Sequence, residues 1–163
     1  MSSLKVDLHA ADAAFLGAVD TAILYSEHAA KAGIEMRVVR VPSDGYWSNV
    51  WMKVPWCMSY WSGRATEDWM FSTAYAKDAA WNESHWNHDR FNELLKSARG
   101  ELDQTKRRNM YVEMQRIVRD EGGEVIPMFS NYVFAIADKV KHGLLASDWD
   151  LDGIRAMERW WYA

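Results

Sequence analysis

The N-terminal part of the sequence carries a strand–helix–strand pattern, and no other feature constrains the fold as strongly. Apolar and polar residues alternate over 4–8, which predicts a half-buried strand. Apolar residues at helical spacing then predict a helix over 13–32, opened by Asp12 and closed at Gly33. Branched residues over 34–41 predict a second strand. Such a unit joins two parallel strands by a right-handed crossover, so the sequence predicts an α/β fold.

Further elements of both kinds follow, and their order predicts a mixed β-sheet flanked by helices. A turn at 42–45 and a loop at 78–88 separate them, and from Asp138 onward the sequence is irregular. Pro127 falls inside one predicted strand, which favours a sheet edge for that strand. The predicted strands are 55–61, 124–129 and 132–137, and the predicted helices are 46–52, 68–76, 89–99 and 103–121.

Three of the helices reveal which face they bury, because their apolar residues recur three and four positions apart. Asp103 is a favourable first cap for the last of them, and Gly122-Gly123 ends it. The predicted buried stripes are Phe15, Val19, Ala22, Ile23 and Ala30, then Phe91, Leu94, Leu95 and Ala98, and finally Met110, Met114, Ile117 and Val118.

Length and charge exclude some classes of protein. The 163 residues suit one domain, and their hydrophobic and charged shares are ordinary for a globular chain. The net charge of −4 argues against a nucleic-acid partner. A basic run at 106–108 is followed by Glu113 and Asp120 on the same predicted helix. This run is therefore interpreted as a solvated helix face.

Cys57 is the single cysteine, so the chain cannot form an internal disulfide. It falls in a predicted apolar strand, where a thiol is usually buried and inert. No apolar run reaches the ~18 residues typical of a membrane span. The stretch 1–4 lacks the basic and apolar parts of a signal peptide, so we expect any export signal to lie outside this chain.

Tryptophan is the unusual component, with 10 in the chain. Trp is large and amphipathic, and it is enriched where a surface must be both apolar and selective. Each one alone is most simply core, but the cluster indicates that some of them line a binding surface. The clustered residues are Trp47, Trp51, Trp56, Trp61, Trp69, Trp81 and Trp86.

No catalytic constellation emerges from the sequence. His85 and His88 have a metal-like spacing, but the rest of the chain offers no converging ligands for a zinc or nickel ion. The adjacent Glu67-Asp68 pair fits a helix N-terminus better than acid–base chemistry. Because no known nucleophile or phosphate-binding motif occurs, we predict a protein that is not an enzyme, with no cofactor and no metal.

The end of the third predicted strand is the best candidate for a binding surface, because ligands of open α/β sheets sit beyond the carboxyl ends of strands. Trp61 can stack there on a ligand, and Gly63 lets the backbone approach closely. Arg64 can bind a carboxylate or other anion through two parallel hydrogen bonds. The alternative for Arg64 is an ion pair with the acidic pair 67–68.

Several short stretches also match one family in order and spacing over roughly residues 4–140, although none is diagnostic alone. They are 29–34, 44–47, 61–66, 81–84, 91–95, 108–111 and 126–131. Together they resemble the C-terminal part of the family 5 extracellular solute-binding proteins, the dipeptide, oligopeptide and nickel-binding group of ABC importers.

The resemblance implies a periplasmic-binding-protein-like lobe at 1–140 and a C-terminal return segment at 141–163. Family members are considerably longer, and their two lobes close over a small organic solute. It therefore implies a periplasmic substrate-binding component that delivers its solute to the membrane subunits of an ABC importer.

The resemblance also implies site residues. Trp56 and Trp61 match positions that often line the pocket, and 129–131 match a segment near the ligand and hinge. The candidate ligand-binding residues are thus Trp56, Ser59, Trp61, Gly63, Arg64, Phe129 and Asn131.

One position departs from the peptide-binding members of the family. In those members an Asp pairs with the amino group of the ligand, and Ser59 corresponds to it here. We therefore expect a solute with an anionic or hydroxylated group, which is peptide-like, opine-like or sugar-like and is held by Arg64 and Trp61.

Two other functions stay open at this point. A stand-alone aromatic-rich module would bind carbohydrate or peptide through the Trp cluster, and a metal-assisted hydrolase would use His85 and His88. We also expect an isolated lobe to expose apolar surface and to form a homo-oligomer.

Overall fold

The computed structural model describes residues 4–163. Part of the signal-peptide prediction concerns residues 1–3 and so lies outside the described residues. The chain divides into two compact units, one ending at Trp61 and the other running from Ser62 to Ala163. The domain boundary expected between 140 and 141 stays a prediction.

The first unit is built on the predicted strand–helix–strand motif. Strand β1 (Leu4–Ala10), helix α1 (Ala18–Lys31) and strand β2 (Ile34–Arg40) follow one another. The two strands pair in parallel from Leu4 opposite Ile34 to Ala10 opposite Arg40, which confirms the predicted topology.

Helix α1 begins later than predicted. Gly17 precedes it with a φ of 84°, a left-handed conformation that a helix cannot continue through. Asp12 still caps the helix from a distance, because its Oδ1 accepts from the N–H of Val19 at 3.3 Å. At the other end Gly33 has a φ of 79°, so its predicted role in ending the helix is confirmed.

The core of the first unit is formed by aliphatic side chains and one aromatic ring. Leu8, Ala10, Val19 and Ala22 pack together between the sheet and α1. Of the stripe predicted for α1, Val19 and Ala22 are buried as expected. Ile23 and Ala30 are exposed, so those two assignments were wrong. Phe15 packs half-buried against the core as a residue that precedes the helix, so it was wrong only as a member of the helix. A second cluster contains Ala11, Ala14, Ala18, Tyr46 and Val50.

The predicted strand at 55–61 is wrong as a full strand. Among residues 4–163 this stretch forms a single bridge, in which the backbone N–H of His9 donates to the carbonyl of Trp56 and the carbonyl of His9 accepts from the N–H of Met58. Pro55 has no N–H to donate, which limits the ladder on that side. The chain is still fixed beside β1 at Cys57, whose side chain is half-buried.

One more helix completes the first unit, and three helices follow in the second. The short helix α2 (Tyr46–Asn49) belongs to the first unit. The second unit contains α3 (Glu67–Met70), α4 (Asp89–Gly100) and α5 (Gln104–Glu121). The helix predicted at 68–76 is present, but its second half is a π-helical turn, Phe71–Tyr75.

Helices α4 and α5 begin at capping side chains. The Oδ1 atom of Asp103 accepts from the N–H groups of Thr105 and Lys106, as predicted. His88 caps α4 in an unexpected way, because its Nδ1 accepts from the N–H of Phe91 at 3.2 Å. The stripe predicted for α4 is buried throughout, whereas Met114 alone is fully buried in α5.

Residues 125–137, named here the uncharged segment, carry no charged side chain and adopt neither helix nor strand. Both strands predicted there, 124–129 and 132–137, are therefore wrong. Within residues 4–163, no backbone N–H of 124–136 donates to another backbone group. A strand needs a neighbouring strand, and Pro127 removes one donor in any case.

The C-terminal residues are more ordered than their irregular sequence indicated. Strand β3 (Val140–His142) pairs in antiparallel fashion with β4 (Trp160–Tyr162). Two helical turns lie between them, α6 (Asp150–Ile154) and α7 (Ala156–Arg159). In the part of the chain that the structure describes, no helix combines the length and the apolar character needed to cross a membrane.

Candidate ligand-binding surfaces

The first unit presents a group of aromatic rings at its surface, named here the aromatic surface and formed by Trp47, Trp51 and Tyr60. The ring of Trp47 meets that of Trp51 at 5.9 Å and that of Tyr60 at 5.7 Å, both edge to face. Trp47 is 40% exposed and Tyr60 is 55% exposed. Rings held in this way present apolar faces and edges at the surface, against which a planar or sugar ligand can pack.

Local structure explains why these rings face solvent. Gly45 has a φ of 71° and starts α2, which buries the next residue, Tyr46. The hydroxyl of Tyr46 donates to the carbonyl of Met58 at 2.5 Å, and this hydrogen bond joins α2 to the segment around Met58. Trp47, next in the helix, must then point elsewhere, and Tyr60 follows two residues after Met58.

Three of the candidate ligand-binding residues lie in the first unit; one contacts its core and the other two are half-buried. The ring of Trp56 packs edge to face against Tyr25 at 5.8 Å and contacts the core beside β1, so its main contacts are structural. Ser59 and Trp61 are half-buried on either side of Tyr60.

Arg64, in the second unit, lies between two indole rings. Its guanidinium carbon is 5.4 Å from the centre of the Trp69 ring and 5.6 Å from that of Trp149. Its Nη1 donates to the carbonyls of Ser62 and Gly63, at 3.0 and 3.1 Å. Cation–π contacts of this kind hold a guanidinium in place.

Gly63 allows the C-terminal residues to approach this arginine. A Cβ atom at position 63 would lie 2.7 Å from the carbonyl oxygen of Asp148, which is too close for any side chain. Only glycine therefore lets the backbone at Asp148 pass so near and bring Trp149 over Arg64.

The carboxylate of Asp68, considered above as a partner for Arg64, is held by other groups. Arg99 donates to its Oδ1 at 2.8 Å, and the hydroxyl of Tyr111 donates to its Oδ2 at 2.9 Å. The hydrogen bonds from Arg99 are the main reason that the pKa of Asp68 is lowered. Burial, then the bond to Asp68, raises the pKa of Tyr111 to about 12. These groups tie α3 to α4 and α5.

Phe129 and Asn131 lie on the uncharged segment, and both are exposed. Phe129 is 92% exposed, so its ring is not part of an enclosed pocket within this chain. A ligand role for either residue stays a prediction.

Of the histidine pair, His88 has a structural role. The Nδ1 of His88 caps α4, its Nε2 lies 3.4 Å from Glu121 Oε2, and its ring stacks on Trp86. His85 adopts a left-handed φ of 54° in the preceding loop. No group of three or more potential metal ligands converges within residues 4–163.

The candidate ligand-binding residues chosen from the sequence did not include the rings of the aromatic surface. Trp47 and Trp51 are in the Trp cluster, and their position next to Gly45, a turn residue that starts a helix, was the available signal. Trp149 was missed because its contact with Arg64 joins residues far apart in sequence, and nothing local to Trp149 indicates it.

Comparisons with solved structures identify the fold. NikZ from Campylobacter jejuni, solved with Ni(L-His), superposes with a TM-score of 0.62 at 19% identity, over 74% of this chain and 25% of NikZ. DppA from Helicobacter pylori, an ABC transporter-associated periplasmic binding protein solved with the peptide STSA, gives a TM-score of 0.62 at 20% identity, over 74% of this chain and 24% of DppA. The chain has the fold of part of an ABC-transporter solute-binding protein.

A third structure supports the same assignment. The ABC transporter substrate-binding protein CtaP from Listeria monocytogenes has a TM-score of 0.62 at 14% identity, over 74% of this chain and 25% of CtaP. The resemblance in the sequence and the predicted α/β lobe are thus confirmed at the level of the fold. The chain spans about a quarter of the length of these proteins. No protein-family model matches it, and no curated protein sequence does either.

Proposed function

We propose that this chain is part of the periplasmic substrate-binding component of an ABC importer, which captures a small organic solute and delivers it to the membrane subunits. The observation that carries the proposal is the fold that the chain shares with DppA, an ABC transporter-associated periplasmic binding protein, and CtaP, an ABC transporter substrate-binding protein. NikZ, solved with Ni(L-His), shares the same fold. Capture would proceed by lobe closure, because a ligand that contacts both lobes stabilises the closed state.

Each unit, taken by itself, presents groups that favour a class of solute. The aromatic surface suits stacking against a ring or an apolar side chain of the solute. Arg64, fixed by its two indole contacts, suits an anionic or hydroxylated group. Ser59 in place of an acidic residue disfavours recognition of an amino group. We therefore propose a peptide-like, opine-like or sugar-like organic solute.

The test is a binding titration of the chain followed by Trp fluorescence, with dipeptides, opines and sugars as probes. We expect one class to bind saturably, and Trp47→Ala to weaken that binding at least tenfold, since it removes the central ring of the aromatic surface. Leu16→Ala is the matched control in the same unit, because Leu16 is 96% exposed and lies outside the surface. Equal affinities for Trp47→Ala and the unmodified chain would rule out the aromatic surface as the site.

Arg64 is tested separately with the same probe. We expect Arg64→Ala to weaken binding of an anionic solute and to leave a neutral sugar unaffected. If affinity for the anionic probe is unchanged, the proposed role of Arg64 in binding is wrong.

A second candidate is a stand-alone carbohydrate- or peptide-binding module. It is favoured by one observation, that the aromatic surface consists only of residues of the first unit. Under this function a sugar or peptide would bind at full strength to the chain alone, and Arg64→Ala would have no effect on any probe.

A further inference from the structure

Glu124 is an enclosed carboxyl group that the proposed function does not use. It follows Gly122-Gly123 at the end of α5 and immediately precedes the uncharged segment. Its Oε2 accepts from the hydroxyl of Tyr75 at 3.0 Å. Its Oε1 is buried and has no hydrogen-bond partner within residues 4–163.

The backbone beside Glu124 is packed tightly against the loop 82–86. A Cβ atom at Gly123 would lie 2.6 Å from the Cβ and Oγ atoms of Ser84 and 3.3 Å from the Cβ of Trp86. Glycine alone allows this approach, so the chain leaving α5 fits closely on the loop.

The loop itself is a rigid support. Asn82, which is only 4% exposed, accepts from the N–H of Trp86 at 3.1 Å and donates to its carbonyl at 2.7 Å. It also donates to the carbonyl of Ala76 at 3.2 Å, which joins the loop to the end of the π-helical turn. The position of Glu124 is thus set by a preformed surface.

The titratable groups around Glu124 are acidic or neutral. Tyr75 faces it from the π-helical turn, and Glu83 faces it from the loop. Glu121, at the end of α5, contacts His88. No lysine or arginine in the described part of the chain forms an ion pair with Glu124. An ionised Glu124 would therefore be buried without a compensating cation, which is costly.

We propose that Glu124 is a pH-sensitive latch, which in its protonated form holds the start of the uncharged segment against the loop 82–86. Loss of the proton places a charge in this enclosed site beside Glu83 and loosens the contact. The latch therefore controls how firmly the uncharged segment is tied to the helical core, whichever solute the protein binds.

The direction of the pH dependence follows from the reason that the pKa of Glu124 is raised. Burial, reinforced by the charge of Glu83, raises the pKa of Glu124 to about 7, against an ordinary value of 4.5. Below pH 4.5 the closed and the open forms are both protonated, and the latch has its full strength. Between pH 4.5 and 7 the open form loses its proton first, so the latch weakens as the pH rises. Above pH 7 the stabilisation of the latch by the protonated carboxyl is lost, and it does not change further with pH.

The experiment is hydrogen–deuterium exchange of the amides of 82–86 in the full chain, corrected for intrinsic rates, at pH 5.5 and 8. We expect the protection factors of these amides to fall roughly thirtyfold between the two pH values, since the latch weakens by a factor of ten for each pH unit between 5.5 and about 7. Glu124→Gln keeps an acceptor for Tyr75 but has no charge, and it should remove the pH dependence. Protection that is equal at both pH values, or a fall that persists in Glu124→Gln, would overturn the proposal.

A second measurement does not depend on any variant. The carboxyl carbon of Glu124, observed by NMR in the chain labelled with ¹³C-glutamate, should titrate well above 4.5. Glu83→Gln should lower that midpoint, because it removes the repelling charge, whereas Glu93→Gln, on the distant face paired with Arg90, should leave it unchanged. An ordinary midpoint for Glu124 would refute the latch.

Discussion

Arg99 binds Asp68 through both oxygens of the carboxylate, with its Nε 2.9 Å from Oδ2 and its Nη2 2.8 Å from Oδ1. The pair joins the short helix α3 to the end of α4. Because α3 has only one turn, it depends on such contacts rather than on its own backbone hydrogen bonds.

We expect Asp68→Asn to lower the free energy of unfolding by about 1–2 kcal/mol, as for hydrogen bonds to charged groups at a partly exposed site. The pKa of Asp68 is lowered, so its contribution is present above its ordinary value of 3.8 and is lost as the pH falls through the lowered pKa. Urea denaturation between pH 3 and 7 measures both effects. The control is Asp120→Asn, which breaks an exposed pair with Arg119 and should change little. Equal losses for the two variants would contradict the prediction.

Phe91 supports the core of the second unit. It is fully buried, and its ring contacts Phe71 at 5.2 Å and Trp86 at 5.1 Å. Phe91→Ala should cost about 3–5 kcal/mol, because it leaves a cavity among these rings. Thermal denaturation followed by circular dichroism checks this, with Leu102→Ala as the control, since Leu102 is 90% exposed. A loss below about 1 kcal/mol would mean that the site collapses around the missing ring.

Gly63 and Gly100 should respond in opposite ways to the same substitution. Gly63→Ala brings a Cβ atom against Asp148 and should destabilise the chain by about 1–3 kcal/mol. Gly100 ends α4 with no atom near its missing Cβ, so Gly100→Ala should stabilise by about 0.4–1 kcal/mol. Differential scanning calorimetry compares the two, and a similar shift in Tm for both would refute the close approach at Gly63.

Asp152 organises the C-terminal residues. It is 2% exposed, and it accepts from the N–H of Ala146 at 2.6 Å and from Trp160 Nε1 at 3.1 Å. Asp152→Ala leaves both donors unsatisfied, so we expect increased exchange at β3 and β4 and a red shift in Trp emission. Asp152→Asn should retain more order, because Asn keeps one acceptor and tolerates the left-handed φ of 63°. If Asp152→Asn loses more order at β3 and β4 than Asp152→Ala does, this role is wrong.

Local patterns predicted the elements that are stabilised locally. The stripe of α4 was correct in all its members, because a helix satisfies its own backbone and its spacing alone marks the buried face. The parallel pairing of β1 and β2 was also correct, since the connecting helix leaves few alternatives.

Features that depend on distant partners were not predictable in the same way. The uncharged segment has the composition of a strand, yet a strand exists only where another strand accepts its hydrogen bonds. The ligand-binding role of Arg64 stays a prediction, and its contact with Trp149 could not be predicted because it is set by the folding of the C-terminal residues. The left-handed turn at Gly17 is a local feature, and it shortened a helix whose apolar spacing began earlier.

The uncharged segment has a practical consequence for handling the protein at high concentration. Phe129 and Val133 are more than nine-tenths exposed, and the backbone amides around them are open to pairing with another chain. Such a stretch, rich in β-branched and aromatic residues, is the kind of sequence from which amyloid-like stacking begins. Precipitation during refolding should therefore start here, and a single lysine gatekeeper, introduced as Val133→Lys, should raise the yield of dissolved protein without disturbing the helical core.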